Sequence, residues 1–315
     1  MSRGTARAGW GVAGLLFAGV LCSCSINQLA VRTVGGFLAG SGQGTVFTGD
    51  DDPELVRDAL PFAMKTYESL LDADPGNAPL ALATGRAFVS YAFAFVQTPA
   101  SMLPAGQVDE QKAGYLRAKK LFLRGRDYVL QGLETRHRGF RALLDRNEVA
   151  AALKLTRRDD ADYLYWTAAA WMAAFSADPF DFSLIVAVPR AVALLQQVNA
   201  WDDAYGAGSV QEILISFYGG APADMGGGED KARAAFQRAV TLCGGRRAGP
   251  YLALATSVSV KNQNADEFRD LLGKALAIDV NADVPDRLVN IINQRKARWL
   301  LEHVDDFFLT EGGES

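Results

Sequence analysis

Two histidines, His137 and His303, and three cysteines, Cys22, Cys24 and Cys243, are the scarce chemistry-bearing residues of this chain. Zinc, haem and histidine-dependent proton transfer need such groups in convergent sets, and neither histidine has a partner at ligand spacing. His137 stands in the basic run Arg136-His137-Arg138 and reads as a surface residue, while His303 follows Glu302 in the last helical segment. No HExxH, GxxxxGK[ST] or GxSxG motif is present. Gly206-Ala207-Gly208 fails the dinucleotide fingerprint because Gln211 takes the third glycine position. Gly226-Gly227-Gly228 resembles a phosphate loop, but Glu229 and Asp230 would repel an anion at the helix start. Asp159-Asp160 and Asp305-Asp306 are sequence neighbours, point in different directions on a helix, and read as caps or solvated faces. No catalytic residue, metal site or cofactor is expected. An envelope hydrolase stays open only because catalytic groups can converge in space from distant positions.

One cysteine carries a different chemistry. Arg3 and Arg7 precede the apolar run Trp10 to Leu21, a charged region followed by an apolar stretch of secretory length, short for a bilayer span. Leu21-Cys22-Ser23-Cys24 follows, with a branched apolar residue three places before Cys24 and a small residue directly before it, as in a bacterial lipobox. Cleavage at Cys22 would put Gly19 and bulky Leu21 in those places, so the spacing selects Cys24 for lipidation over Cys22. A plain signal peptide or an uncleaved anchor are the alternatives. The expected organisation is a lipoprotein signal peptide over 1–23, a lipidated anchor with a short helix at 26–38 and a glycine-rich tether over 24–49, and a helical domain over 50–315. The domain would face the periplasm, held to a bacterial membrane by its N-terminal lipid, and Ser25 in place of an Asp retention signal points to the outer membrane.

Without Arg3 and Arg7 the mature chain has 30 basic and 36 acidic residues, which leaves no footprint for a nucleic-acid backbone. With Cys24 acylated, Cys243 is the remaining thiol; it follows Leu242 on an apolar helical pattern and should fill core volume.

The elements that must position all of this are helices. Of 315 residues, 49% are apolar and 22% charged, a globular composition, and nearly every segment after Asp50-Asp51-Asp52-Pro53 shows a period of 3.6. That acidic start with Pro at the first helical position reads as an N-terminal cap, without calcium-loop spacing. Helices are predicted near 53–73, 78–96, 109–136, 147–155, 160–177, 183–201, 207–218, 229–243, 250–262, 265–278 and 285–309.

Tetratricopeptide-like spacing of small and large residues recurs along them. Ala63, Tyr67, Leu70 and Pro75 carry it, followed by Gly85 and Phe88; it returns at Ala191, Leu195, Val198 and Asp203, at Ala232, Phe236, Ala239 and Gly244, and at Phe268, Leu272, Ala275 and Val280. Small residues let two helices approach and large ones fill the gap beside them. The fold expected is all-α: degenerate tetratricopeptide-like hairpins packed as a superhelical bundle, with expanded loops at 97–110 and 219–228.

Tyr163 to Phe175 is apolar except at Thr167, and Ala87 to Val96 is nearly as apolar. A helix apolar all round is a central helix, and neither stretch spans a bilayer without including a charge or breaker. Tyr91, Phe95, Trp166, Trp171, Phe217 and Tyr218 concentrate ring area on these segments and near 217. They form either dense core or the wall of an apolar passage for a hydrophobic small molecule.

In order along the chain, the sequence resembles the T-component family of TRAP transporters, TPR-containing lipoproteins of tripartite ATP-independent periplasmic transport systems. The similarity lies in Cys24-Ser25-Ile26-Asn27, Phe47 through Leu55, Ala59-Leu60-Pro61-Phe62, Tyr67 through Leu71, Tyr91 through Gln97, Trp166 through Trp171, Leu214 through Tyr218, Gly227-Gly228 with Lys231-Ala232-Arg233, and Trp299 through Phe308. It departs where repeat positions lose a consensus aromatic or proline, as at Val280. The resemblance implies an all-helical periplasmic lipoprotein that binds the solute-binding subunit of a TRAP system, as a single chain or as an oligomer, and it does not imply catalysis. A TPR-like lipoprotein scaffold for envelope assembly, unrelated to uptake, is the alternative.

Overall fold

The computed structural model describes residues 45–309, and every regular element among them is helical. The signal peptide, Cys24, the 26–38 helix and the Gly40–Gly44 part of the tether lie outside the described residues. Helix α1 (Pro53–Ala73) starts as its acids dictate: Asp52 accepts hydrogen bonds from the Glu54 and Leu55 amides, both at 3.0 Å, and Pro53 takes the first turn, where no amide donor is required. Asn77 caps α2 (Ala78–Ala92) by accepting from the Leu80 amide at 3.1 Å. Beyond Ala92 the same rod makes a π turn, Phe93–Gln97, before ending in Thr98–Ala100. Then come α3 (Val108–Arg136), α4 (Phe140–Asp145), α5 (Val149–Lys154), α6 (Ala161–Ala177), α7 (Phe182–Trp201), α8 (Ser209–Gly220), α9 (Glu229–Leu242), α10 (Gly249–Leu254), extended by a π turn at Ala255–Ser259, α11 (Ala265–Leu276) and α12 (Arg287–Glu302).

Small residues decide how closely the first helices approach. On α3, Ala118, Gly125 and Gly132 recur every seven residues and are buried. Gly125 faces Gly85 of α2: a Cβ on Gly85 would overlap Val129 Cγ2 and lie 2.6 Å from the Gly125 carbonyl oxygen. One on Gly132 would lie 3.0 Å from the Ala78 carbonyl oxygen and 2.8 Å from the Tyr163 ring of α6. Missing side chains on α3 thus admit α2 and α6 to contact distance.

Ion pairs fix α3 against α6 end to end. Lys119 donates to Asp178 at 2.7 Å and pairs with Asp181 at 2.5 Å, just past the end of α6. At the other end Arg136 meets Asp160 at 2.5 Å, just before α6 begins. The two stretches are nearly equal in length and run in opposite directions, so an antiparallel pair in register is the only arrangement that satisfies both. Helices α4 and α5 are an insertion between α3 and α6.

In the second half α8 packs on α9 and α10, α10 on α11 and α11 on α12, while α6 and α7 touch α8 and join the halves. The row then closes on its own start. Thr48 accepts from the Leu288 amide at 2.9 Å, Arg287 donates to the Gly49 carbonyl at 2.9 Å, and Arg295 grips Glu54 through both nitrogens at 2.5 and 3.2 Å.

Of the repeat positions, Gly85, Phe88, Ala191, Leu195, Val198, Ala232, Ala239, Phe268, Leu272 and Ala275 are buried, while Ala63 and Phe236 are half-buried. In the first unit Tyr67 and Leu70 are half-buried against a small separate cluster of Leu71, Leu80 and Ala81. Cys243 is buried with a free thiol, as its helical context suggests. Ala78–Ala100 and Phe182–Trp201 are long and apolar enough to cross a bilayer, but both supply side chains to the core. That role explains their hydropathy.

Candidate functional site

All six aromatic residues singled out in the sequence join one continuous apolar cluster. They enter it in three places. Tyr91, buried on α2, lies 5.7 Å from Phe95 in the π turn, with Arg117 of α3 over its face at 6.0 Å. On α6, Trp171 is buried beneath Arg126, whereas Trp166 is partly exposed, has Arg86 over its face at 5.3 Å and meets Tyr165 edge-on at 5.5 Å. Phe217 and Tyr218 pair on α8 at 5.5 Å, and the Lys231 ammonium lies 5.9 Å from the Tyr218 ring. Helix α6 touches both α2 and α8 and is the element that relates the three places.

Beside Trp166, Ala170 is buried and part of the core. Phenylalanine at Ala170 is therefore expected to destabilise the domain by roughly 1–3 kcal/mol through overpacking. Thermal unfolding measures this, with binding of a neutral apolar fluorophore followed alongside. An unchanged melting temperature with lost fluorophore binding would place a vacant passage at that position instead.

Groups that sequence reasoning did not bring together lie next to Trp166. The Tyr165 and Tyr205 rings are 5.0 Å apart, and the Tyr205 hydroxyl donates to Asp162. Burial, reinforced by the Glu212 carboxylate, pushes the Tyr165 hydroxyl up to about 12, and burial with Asp162 raises Tyr205 further. Arg247 makes four hydrogen bonds: it donates to both oxygens of Asp286 at 2.5 and 2.8 Å, to the Gly206 carbonyl at 2.5 Å and to Ser209 Oγ at 2.9 Å. Only Tyr165, adjacent to Trp166, stood in a segment whose composition drew attention. Residues 205, 212, 247 and 286 meet through tertiary packing that no local pattern reports.

The Gly226–Gly228 turn binds its own chain. Gly227 donates to the Pro222 carbonyl at 2.9 Å, Gly228 to the Tyr218 carbonyl at 2.8 Å, and Lys231 to the Gly226 carbonyl at 3.0 Å. Asp160 and His137 correct the reading of solvated surface groups. Asp160 is 0% exposed and pairs with Arg136 and with His137 Nε2 at 2.7 Å, while also accepting from the Arg157 amide at 2.8 Å. These contacts join the end of α3 to the start of α6. Among the described residues no group of three or more His, Cys, Asp or Glu side chains is placed to hold a metal ion.

An open groove of about 1090 Å³ runs along the outer side of α3, lined by Lys120, Arg124, Tyr128, Gln131, Arg138 and Arg141 among others. Large apolar side chains also stand free: Phe62 is 80% exposed on α1, and Phe180 and Phe182 are 92% and 76% exposed at the α6–α7 turn. Exposed rings beside a helical core are a feature of surfaces that meet other macromolecules.

The helices form a closed row with aromatic residues exposed at its surface and further rings in its interior. The model of the TRAP transporter T-component family matches residues 49–308, and the chain belongs to that family. An uncharacterized protein of Treponema pallidum (strain Nichols) is 36% identical over 306 residues, covering 92% of this chain and 95% of the relative. The family is a component of TRAP transport systems, associated with transport and not an enzyme family.

Proposed function

We propose that this protein is a periplasm-facing lipoprotein adaptor of a TRAP transport system, anchored through Cys24, that binds the solute-binding subunit and takes a ligand with hydrophobic character. The family match across nearly the whole helical domain carries this reading. Stacked helices offering exposed Phe62, Phe180 and Phe182 suit a protein partner, and the partly exposed Trp166, Phe217 and Tyr218 suit an apolar ligand. The leader arginines, apolar run and lipobox spacing support the anchor.

Copurification from envelope extracts tests the adaptor role: the solute-binding subunit should accompany the protein. Recovery with envelope-assembly proteins and without that subunit would favour the scaffold alternative. For the anchor, Cys24→Ala should abolish incorporation of labelled fatty acid and release the protein from the membrane or block its maturation. Label retained in that variant would move the site to Cys22 or remove the lipoprotein reading.

A further inference from the structure

The groove along α3 is basic in a chain that is acidic overall. The thirty residues from Arg117 to Arg146 carry nine basic and three acidic side chains, whereas the whole chain has 32 basic and 36 acidic. Part of that charge is used inside the fold, where Lys119 pairs with Asp178 and Asp181 and Arg136 pairs with Asp160. Lining the groove are Lys120, Arg124, Arg138 and Arg141, all exposed, against Asp127 and Glu134.

Both acids already have partners. Asp127 accepts from Arg126 at 2.8 Å and from Arg141 at 3.5 Å, and the two Glu134 oxygens accept from the Gly139 and Arg141 amides at 2.7 and 2.9 Å. Arg124 pairs with Glu68 of α1. Lys120 and Arg138, toward opposite ends of the lining, have no hydrogen bond or ion pair among the described residues. Between them Tyr128 donates to Glu68 at 2.5 Å with its ring 5.6 Å from Phe88, and Gln131 donates to the Pro75 carbonyl at 3.0 Å. The floor is thus fixed by α1, α2 and the turn that joins them.

Length decides the class of ligand. From Lys120 to the end of α3 at Arg136 is about 24 Å of helix, so a small anion cannot meet both free cations. An extended peptide of about seven residues can. The groove is a recess of about 1090 Å³, which suits an inserted segment better than the plane of a membrane. We propose that it docks an acidic surface segment of the solute-binding subunit. Lys120 and Arg138 donate charge-assisted hydrogen bonds to its carboxylates, and Leu123 and Tyr128 meet its apolar side chains. This inference rests on the adaptor reading and names the face of this chain that carries it.

Calorimetry of the full chain in neutral detergent with the solute-binding subunit of the same transport system tests it. Lys120→Glu with Arg138→Glu should weaken the complex at least tenfold at an unchanged melting temperature, since neither side chain has an internal partner. Raising the salt severalfold should weaken the wild-type complex and hardly affect that of the variant. Lys120→Gln with Arg138→Gln, which removes the charges without reversing them, should also lose affinity and serves should the Glu variant fold poorly. Lys154→Glu with Arg298→Glu changes the net charge as much at exposed positions outside the groove, and should leave the affinity nearly unchanged. Equal affinity in wild type and the groove variants overturns the docking face and leaves the adaptor standing. Equal weakening by the groove and control pairs overturns it too, because the effect is then one of overall charge. No complex with wild type overturns both. A soluble short-chain phosphatidylglycerol that binds wild type and not the groove variant, while both hold the subunit alike, gives the face to anionic lipid and overturns the proposal.

Discussion

Valine at Gly85 is expected to destabilise the domain by roughly 3 kcal/mol, at the upper end of overpacking costs. Even one added carbon would meet Val129 Cγ2 and the Gly125 carbonyl oxygen, and the latter belongs to a helix backbone that cannot rotate aside. The branched side chain must separate α2 from α3 or displace both, and α3 is also held to α6 by Lys119 and Arg136. For a domain of this size the melting temperature should fall by roughly 6–12 °C. Gly273 on α11 is the control. It is exposed, with nothing within 4 Å of an added Cβ, so Gly273→Ala should stabilise by up to about 1 kcal/mol through helix propensity. Equal and small effects at the two glycines would contradict the close approach of α2 and α3.

Removal of the Asp160 carboxylate is expected to cost about 3 kcal/mol, the lower end for breaking a buried pair, because Arg136 retains some contact with water. Three donors lose their acceptor at once: Arg136, His137 and the Arg157 amide. Burial alone would raise the Asp160 carboxyl, but the Arg157 amide, Arg136 and His137 outweigh it and hold the carboxyl below its ordinary value. A depressed carboxyl stabilises the fold above its unfolded pKa of about 4, and the contribution disappears as pH falls through the folded value. The stability gap between wild type and Asp160→Ala, measured by urea unfolding, should therefore be full at pH 7 and shrink below about pH 4. A gap independent of pH would show that the variant loses packing and not charge pairing.

Local signals in the sequence located most helices because their punctuation is chemical. Asp52 and Asn77 cap as their side chains allow, Asp74-Pro75-Gly76 stops α1, and the predicted 53–73 is the observed helix. Helix α4 escaped because six residues hold too little period, and its start depends on Gly139 at a φ of +87°. The π turns at 93–97 and 255–259 continue ordinary helical patterns, and no residue type in them signals the wider turn. The same limit governs the site. Ring-rich segments were visible at Trp166 and Tyr91, and so were the small residues that bring helices together. Asp160 was compared only with Asp159 beside it, whereas its partners lie 24 and 23 positions upstream. Arg247 and Asp286 meet across 39 positions, and Glu212 differs from any solvated helical glutamate only by what surrounds it.

Association with the solute-binding subunit separates a transport adaptor from an envelope scaffold. Sedimentation velocity of the purified mature domain mixed with the subunit from the same transport system measures it directly, with and without solute. A faster-sedimenting complex should form at micromolar concentrations, with an affinity modest enough to permit release. No complex at tens of micromolar, in either condition, would contradict the adaptor role.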